Sequence, residues 1–282
     1  MISKKAKCKL VAEIGINHNG DMENVKRLIR MASLAGFDYV KFQKRNVTKT
    51  TPPEKWDVLK RTPWGEIPYI KYKRRLEDID YDSIEICCQQ EGIQWFASPW
   101  DVDSVNFLDR YHQRGLIKVA SACVTDLDLL RAIRDSGRPV ILSTGMSTKQ
   151  QFDVACGILT GQIKYILACT STYPTAPEEM NLQFLRTLKK EYPFAKIGFS
   201  NHNPGILFAA SSVLYGAEMI EVHTTLDRAM FGSDQAASIE LEGMIKLQKY
   251  VRSLEKGMGD GKWIVWDSEK PVISNLRWKE FI

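Results

Sequence analysis

Short apolar runs alternate with amphipathic stretches along the whole chain, which predicts a repeated unit of one strand and one helix. Each run is apolar at its start and becomes polar at its end. We count eight runs, at residues 9–17, 39–43, 93–100, 116–124, 139–146, 165–174, 196–203 and 219–227. The pattern predicts an α/β fold, a single-domain (β/α)8 TIM barrel, whose polar strand ends form an open rim that carries the functional site.

The stretches between the runs have apolar residues at helical spacing. In residues 126–137 (DLDLLRAIRDSG), Asp126 is suited to cap the start of a helix and Gly137 to end it. We expect the barrel to occupy residues 1–256.

Two segments depart from the repeat. Residues 44–80, after the second run, form a long, basic and Pro-containing insertion. Long loops in compact domains are usually functional, so one interpretation is an active-site flap and the other is a solvated surface arm. Residues 257–282 form a C-terminal tail that is too short for a second domain, and its three tryptophans predict packing against the barrel or a second subunit.

Composition narrows the class of protein. The 282 residues are 44% hydrophobic and 26% charged, and the net charge of +5 comes from interleaved charges of both signs. This composition is typical of a globular protein, argues against a nucleic-acid partner and suits a small anionic substrate. The six cysteines contain no CxxC pair and are expected to be reduced. The chain has no secretory signal pattern and no apolar segment of about 20 residues that could span a bilayer, so we expect a cytoplasmic protein without membrane contact.

Two of the four histidines, His202 and His223, end consecutive apolar runs. Neighbouring strand ends of a barrel face the same opening, where two imidazoles can bind a divalent metal and leave positions for water and substrate. Hydrogen-bonded core histidines are the alternative interpretation. Glu221 points to the same side of its strand as His223, and Asp227 and Asp234 follow in the loop, where they could join or orient the ligands.

Lys41 and Lys118 lie inside apolar runs, where an ammonium group needs an anionic partner. Together with hydroxyl groups at the ends of other runs they could hold a phosphate and a carboxylate. Two alternatives stay open, namely internal ion pairs with Glu or Asp and a Schiff-base lysine. The candidate hydroxyl groups belong to Ser98, Ser121, Ser143 and Ser200.

Glu13 lies in the middle of the first run, where its carboxylate is either paired with Lys41 or Lys118 or has a role in acid/base chemistry. His18 follows in a polar turn, where a capping role is favoured over contact with a substrate.

Taken together, eight segments in barrel order resemble the sialic acid synthase family. They lie between residues 12 and 238 and read AEIGINHNG, VKFQ, ASPWD, IKVAS, GRPVILSTGMST, CTSTYP, GFSNHNPG and IEVHTTLDRAMFGSDQAAS. The resemblance implies a transferase that condenses phosphoenolpyruvate with an N-acylated hexosamine to a nine-carbon 2-keto-3-deoxy acid, with release of phosphate.

The resemblance also implies roles for single residues. It assigns the metal to His202 and His223, with Mn2+ expected first and Mg2+, Co2+ or Zn2+ as other candidates. It makes Glu13 the acid/base residue and places Glu221 beside the reacting aldehyde as a second catalytic carboxylate. The remaining assignments are phosphoenolpyruvate to Lys41, Lys118, Ser98, Ser121, Ser143 and Ser200, and the sugar to Tyr173 and Asp234.

Three substitutions depart from the family pattern and bear on the choice of sugar. Ser171 stands where some bacterial members carry Asn, Asn201 replaces a common Asp, and Gln235 replaces a common His. The resemblance further predicts a homodimer. Many members carry an antifreeze-like domain after the barrel, and this chain stops short of it, either as a truncated form or as a naturally short one. The candidates for recognising the acyl group of the sugar are then insertion residues, namely Trp64, Tyr69, Lys71, Arg74 and Arg75.

Other functions stay open at this point. One is a synthase for a different 3-deoxy-ulosonate that takes a sugar phosphate, and another is a non-catalytic sugar-binding barrel.

Overall fold

The computed structural model describes residues 7–111 and 115–279. Within these ranges ten strands are formed: β1 (Lys9–Gly15), β2 (Tyr39–Lys44), β3 (Leu59–Thr62), β4 (Gly65–Pro68), β5 (Gln94–Pro99), β6 (Ile117–Val119), β7 (Val140–Ser143), β8 (Ile163–Cys169), β9 (Lys196–Asn201) and β10 (Met219–His223). The helices are α1 (Met22–Leu34), α2 (Val47–Thr50), α3 (Tyr69–Glu77), α4 (Tyr81–Gln90), α5 (Val102–Leu108), α6 (Leu127–Asp135), α7 (Lys149–Ile158), α8 (Phe184–Glu191), α9 (Leu207–Ser211), α10 (Leu241–Gly257) and α11 (Lys270–Leu276).

Eight parallel strands close a barrel in the order β1-β10-β9-β8-β7-β6-β5-β2. All eight coincide with the predicted runs, so the predicted (β/α)8 barrel is confirmed. Seven of the eight strands end before their runs do, and the exception is β2, which ends one residue beyond its run. For example, Ser121–Cys123 belongs to the predicted run 116–124 but forms a short 3-10 helix after the end of β6. The polar ends of these runs extend beyond the hydrogen-bonded strands and form the rim of the barrel.

Local signals explain the helices that surround the barrel. The Asp126 side chain accepts a hydrogen bond from the backbone N–H of Leu129 and starts α6, as predicted. Gly137 follows the helix with a φ of +68°, a conformation that favours glycine. The apolar face of α6 is buried through Leu129, Leu130 and Ile133.

The barrel interior has an apolar layer below a polar one. Val11, Phe96, Ile141, Leu167 and Met219 fill the lower interior and are buried. Because alternate residues of a strand point to the same side, the residue two positions further on also points inward. The layer above therefore carries polar side chains, namely Glu13, Ser98, Ser143, Cys169 and Glu221, and the same spacing from Tyr39 and Leu116 adds Lys41 and Lys118.

The insertion at 44–80 is folded and packs on the rim. Its strands β3 and β4 form an antiparallel hairpin, and α3 buries Ile70, Tyr72 and Leu76. The rings of Trp64 and Tyr72 each lie 6.0 Å from that of Phe231 in the loop after β10. The interpretation as a solvated arm is therefore wrong for α3, because this helix is packed against the barrel.

The tail after α10 lies on the surface. Trp263, Trp266 and Trp278 are exposed, with Trp263 fully so. Among residues 7–111 and 115–279, none of these tryptophans is buried against the barrel, so that alternative is wrong, and contact with a second subunit stays a prediction. All six cysteines are free of disulfides, as expected. In the ranges that the structure describes, no helix is long and apolar enough to cross a membrane.

Candidate active site

The carboxyl ends of the barrel strands surround one cavity, and most of the predicted site residues line it. They are Glu13, Lys41, Ser98, Lys118, Ser121, Tyr173, Ser200, His202, Glu221 and His223. Two predicted residues lie beside the cavity lining. Ser143 is buried, and its hydroxyl group has no hydrogen-bond partner among the described residues. Asp234 places Oδ2 3.6 Å from Nδ1 of His223.

Two lysines and two glutamates form a charge-balanced cluster at the base of the cavity. Lys41 Nζ lies 2.7 Å from Glu13 Oε2 and 4.0 Å from Glu221 Oε1, and Lys118 Nζ lies 2.5 Å from Glu221 Oε1. None of these side chains is more than 5% exposed. The internal ion pairs that the sequence left as an alternative are therefore present.

The ion pairs control the protonation of these groups. Burial favours the neutral form of Glu221, but Lys118 and Lys41 outweigh it and lower the pKa of Glu221 to about 2. Burial likewise acts against the charge on Lys41, but Glu13 and Glu221 outweigh it and raise its pKa. A Schiff-base mechanism needs a neutral amine, so the charged state of Lys41 argues against that role.

The histidine tautomers follow from their neighbours. Nδ1 of His202 lies 2.7 Å from the carbonyl oxygen of Thr170, which can only accept, so this nitrogen carries the proton. Nε2 of His202 then accepts a hydrogen bond from the hydroxyl group of Tyr173, at 3.0 Å. Nδ1 of His223 is buried without a hydrogen-bond partner. Burial lowers the pKa of His223, so its ring is neutral.

These two imidazoles suit a divalent cation. Their ring centroids are 5.2 Å apart. Nδ1 of His223 has no hydrogen-bond partner among the described residues, and Nε2 of His202 would become a ligand once the Tyr173 hydroxyl group turned away from it. Neutral imidazole is a ligand for borderline transition metals. In the described part of the chain no group of three or more His, Cys, Asp or Glu is placed to hold a metal ion. The protein would thus supply two histidines and leave the other positions to water or substrate.

Cys169 also lines the cavity, and sequence reasoning missed it. Its sulfur lies 3.6 Å from the hydroxyl groups of Ser121 and Ser171 and 3.9 Å from Nδ1 of His202. Burial raises the pKa of the thiol, but His202 and Lys118 outweigh it and lower the pKa to about 7. The only signal in the sequence is its place at the polar end of the sixth run.

Gly145 leaves room for this group of hydroxyls. A Cβ atom at this position would lie 2.3 Å from Ser171 Oγ and 2.6 Å from Ser121 Oγ, so a side chain would displace both. The segment after β7 therefore approaches the hydroxyl groups with its backbone.

Several candidates have structural roles instead. His18 is buried, and its Nδ1 accepts a hydrogen bond from the N–H of Gly20 at 2.9 Å, so it has a structural role in the turn, although the residue that caps α1 is Asp21. Asn201 donates to the carbonyl oxygen of Asn203, and Gln235 hydrogen-bonds Thr225. Of the three departures from the family pattern, only Ser171 lines the cavity, and none of the insertion candidates Trp64, Tyr69, Lys71, Arg74 and Arg75 does.

The buried polar layer and the two imidazoles lie at the carboxyl-terminal rim of a closed (β/α)8 barrel, the place where barrel enzymes carry their active sites. Comparison with known proteins identifies the family. A profile described as the NeuB family matches residues 28–263, and the chain belongs to this family. The predicted resemblance to the sialic acid synthases is confirmed, and the protein is an enzyme of the sialic acid synthase type.

Named relatives agree with this assignment. Human N-acetylneuraminate-9-phosphate synthase is 33% identical over 260 residues, which cover 89% of this chain and 71% of the relative. N,N'-diacetyllegionaminic acid synthase of Campylobacter jejuni is 31% identical over 280 residues, which cover 96% of this chain and 83% of the relative. The crystal structure of N-acetylneuraminic acid synthetase from Leptospira borgpetersenii superposes with a TM-score of 0.81 at 30% identity, covering 97% of this chain and 93% of that one.

Proposed function

We propose that this protein joins phosphoenolpyruvate to the aldehyde carbon of an N-acylated hexosamine-type sugar and forms a nine-carbon 2-keto-3-deoxy sugar acid and phosphate. The observation that carries the proposal is the buried cluster of Lys41, Lys118, Glu13 and Glu221 beside the two imidazoles. Membership of the NeuB family, whose relatives include synthases named for sialic, legionaminic and pseudaminic acids, supports it.

Lys41 and Lys118 would bind the anionic groups of phosphoenolpyruvate. Both ammonium groups face the cavity, and burial strengthens their attraction to an anion. Ser98, whose Oγ lies 3.4 Å from Lys41 Nζ, would add a hydroxyl donor. Further hydroxyl donors for the phosphate and carboxylate would come from Ser121, Ser143 and Ser200.

The reaction would form one carbon–carbon bond. C3 of phosphoenolpyruvate attacks the aldehyde carbon, and the aldehyde oxygen takes up a proton. This attack leaves C2 as a cation, water adds to it, and Glu13 takes one proton from this water. The bond between C2 and the phosphate oxygen then breaks, phosphate leaves with the electron pair and takes the remaining hydroxyl proton, and C2 becomes a ketone. Glu221, held by Lys118, would lie beside the aldehyde, and the barrel would align the two substrates.

A divalent metal would be held by His202 and His223, with Mn2+ as the first candidate and Mg2+, Co2+ or Zn2+ as others. When bound, such an ion acts as a Lewis acid that polarises the aldehyde. Tyr173 and Asp234 would contact the sugar, since the Tyr173 hydroxyl group lies at the cavity and Asp234 lies next to His223.

Phosphate release and product mass test the proposal. The protein is incubated with phosphoenolpyruvate and Mn2+ and, in separate reactions, with N-acetylated hexosamines, their 6-phosphates and pentose phosphates. We expect phosphate only when both substrates are present, and a product mass equal to the sugar plus pyruvate. Glu13→Gln should abolish release, whereas Glu242→Gln, on the exposed face of α10, should not change it.

Two outcomes would overturn the proposal. Sugar binding without phosphate release would indicate a non-catalytic barrel, and borohydride trapping of pyruvate on Lys41 or Lys118 would indicate an aldolase. A product formed only from a sugar phosphate would instead replace the proposed acceptor with a phosphorylated one.

A further inference from the structure

A chain of three side chains connects the insertion with the buried carboxylate of Glu13. Gln43, the polar residue near the end of β2, donates from Nε2 to Glu13 Oε1 at 2.9 Å. Its Oε1 accepts a hydrogen bond from Nη2 of Arg45. Gln43 lines the cavity, whereas Arg45 does not.

Arg45 decides which way the Gln43 amide points. A guanidinium group can only donate and a carboxylate can only accept, so the amide must turn its oxygen to Arg45 and its nitrogen to Glu13. Without the guanidinium group, the hydrogen bond to Glu13 alone would hold the amide in this orientation, and the amide could turn away more readily. In the turned state, Glu13 Oε1 would lose its N–H donor.

The carboxylate of Glu13 is thereby held at both oxygens. Oε2 pairs with Lys41 at 2.7 Å, and Oε1 accepts from Gln43. A Cβ atom at Gly15 would lie 3.0 Å from Glu13 Oε1 and 3.2 Å from Gln43 Nε2, so this pair fits against the backbone with little room. The orientation of the carboxylate plane depends on both partners.

Arg45 is in turn held by two elements. Its Nε lies 2.9 Å from Glu77 Oε1, and its backbone N–H donates to Glu77 Oε2 at 3.1 Å. Its Cζ lies 4.1 Å from the ring centroid of Trp100, which follows β5. Glu77 is the last residue of α3, so the position of Arg45 depends on the docked insertion.

We infer that Arg45 is a positioning residue that acts on Glu13 through the Gln43 amide, and that Glu77 couples this arrangement to the docking of α3. The inference rests on the proposed function, because it matters for catalysis only if Glu13 acts on the reacting atoms. The alternative is a purely structural role, in which Arg45 only connects α3 to the barrel through Glu77. The positioning role predicts that substitutions of Arg45 and Gln43 have a shared effect on kcat, whereas the structural role predicts independent effects.

A double-mutant cycle distinguishes the positioning role of Arg45 from the structural one. We expect Arg45→Met to lower kcat by roughly 10- to 100-fold, the scale for a misplaced catalytic group, and to leave KM for phosphoenolpyruvate nearly unchanged. Arg45→Met combined with Gln43→Met should be no slower than Gln43→Met alone, because the first substitution has nothing left to orient. If the two losses multiply instead, the residues act independently and the inference is wrong.

Two further variants control for charge and folding. Arg61→Met removes a cation from an exposed position of the same insertion and should leave kcat unchanged. Arg45→Lys keeps a positive charge near Glu77 but lacks the planar group that reaches Glu77 and Gln43 together. We therefore expect its kcat to be as low as that of Arg45→Met and its melting temperature to be higher than that of Arg45→Met. Full recovery of kcat in Arg45→Lys would contradict the orientation argument.

A measurement that needs no activity tests the same geometry. The side-chain NH2 signal of Gln43, assigned through Gln43→Met, should exchange slowly with water in the wild type and in Arg61→Met and rapidly in Arg45→Met. Unchanged slow exchange in Arg45→Met would overturn the inference even if the wild type forms no product. Absence of product from the wild type would, by contrast, overturn the proposed function.

Discussion

The ammonium group of Lys118 lies 2.5 Å from Oε1 of Glu221, although the two residues are 103 positions apart in the chain. Lys118 is on β6 and Glu221 on β10, which stand on opposite sides of the barrel. Ser200 also donates to Glu221 Oε1, at 3.1 Å. The pair thus spans the interior directly above the apolar layer.

Lys118→Met should destabilise the fold and weaken phosphoenolpyruvate binding. Removing one partner of a buried ion pair leaves an uncompensated charge, which costs about 3 kcal/mol. Urea denaturation should show this loss in the free energy of unfolding, and Lys118→Met with Glu221→Gln should regain part of it without regaining activity. Lys149→Met removes an exposed ion pair with Asp153 and should have no measurable effect. Equal stability of Lys118→Met and the wild type would show that Glu221 is not held as described.

His223→Gln should weaken Mn2+ binding. Replacing a ligand lowers metal affinity, here on the order of 10-fold or more, the scale seen even for residues that only support a ligand. Isothermal titration calorimetry with Mn2+ alone measures this without an activity assay. His18→Gln, which changes a buried histidine outside the cavity, should keep the wild-type affinity. Equal affinities of His223→Gln and the wild type would place the metal elsewhere.

Acid should reduce the stability through His18. Burial lowers its pKa from 6.5 to about 4 in the folded protein. The unfolded chain therefore takes up a proton below pH 6.5 that the folded protein does not accept until about pH 4, and the folded state loses stability as the pH falls through this window. The loss amounts to about 3 kcal/mol.

Urea denaturation at several pH values checks this expectation. His18→Gln should show a flatter decline between pH 6.5 and 4 than the wild type. Parallel curves for the two proteins would mean that folding does not lower the pKa of His18.

Phe231→Ala should loosen the insertion without unfolding the barrel. Phe231 makes edge contacts with Trp64 and Tyr72, and each such aromatic pair contributes about 0.5–1.5 kcal/mol beyond burial. Hydrogen exchange should therefore accelerate in β3 and β4, while exchange in β1 and β10 stays slow. Leu207→Ala, which truncates an exposed apolar side chain on α9, is a control that should change neither. Slow exchange of the hairpin in Phe231→Ala would indicate that other contacts hold it.

Self-association should depend on the tail. The predicted homodimer would cover exposed apolar side chains such as Trp266 and Leu276, which are 62% and 75% exposed. We expect light scattering to report a dimer for the wild type and a shift toward monomer for Trp266→Ser with Leu276→Ser. Phe194→Ser, at another exposed apolar position, should remain dimeric. A monomeric wild type would rule out the prediction.

Local patterns in the sequence were enough to predict the barrel. A strand shows itself by a short apolar run and a helix by its spacing and caps, as at Asp126 and Gly137, and both signals lie within a few residues of each other. Polar residues at the ends of the runs also located His202 and His223 at one opening, because parallel strands of a barrel end on the same side.

Only the tertiary structure decided which side chains meet. Pairing of Lys118 with Glu221 rather than with Glu13 depends on barrel closure and register, which act over 103 residues. The ion pair of Arg45 with Glu77 depends on the docking of α3, whose partner Phe231 lies far along the chain. The sequence by itself therefore determined the order of the strands and the class of chemistry at their ends. The pairing of individual charges came from three-dimensional closure, since an ion pair needs two atoms within a few ångströms and no local pattern encodes that distance.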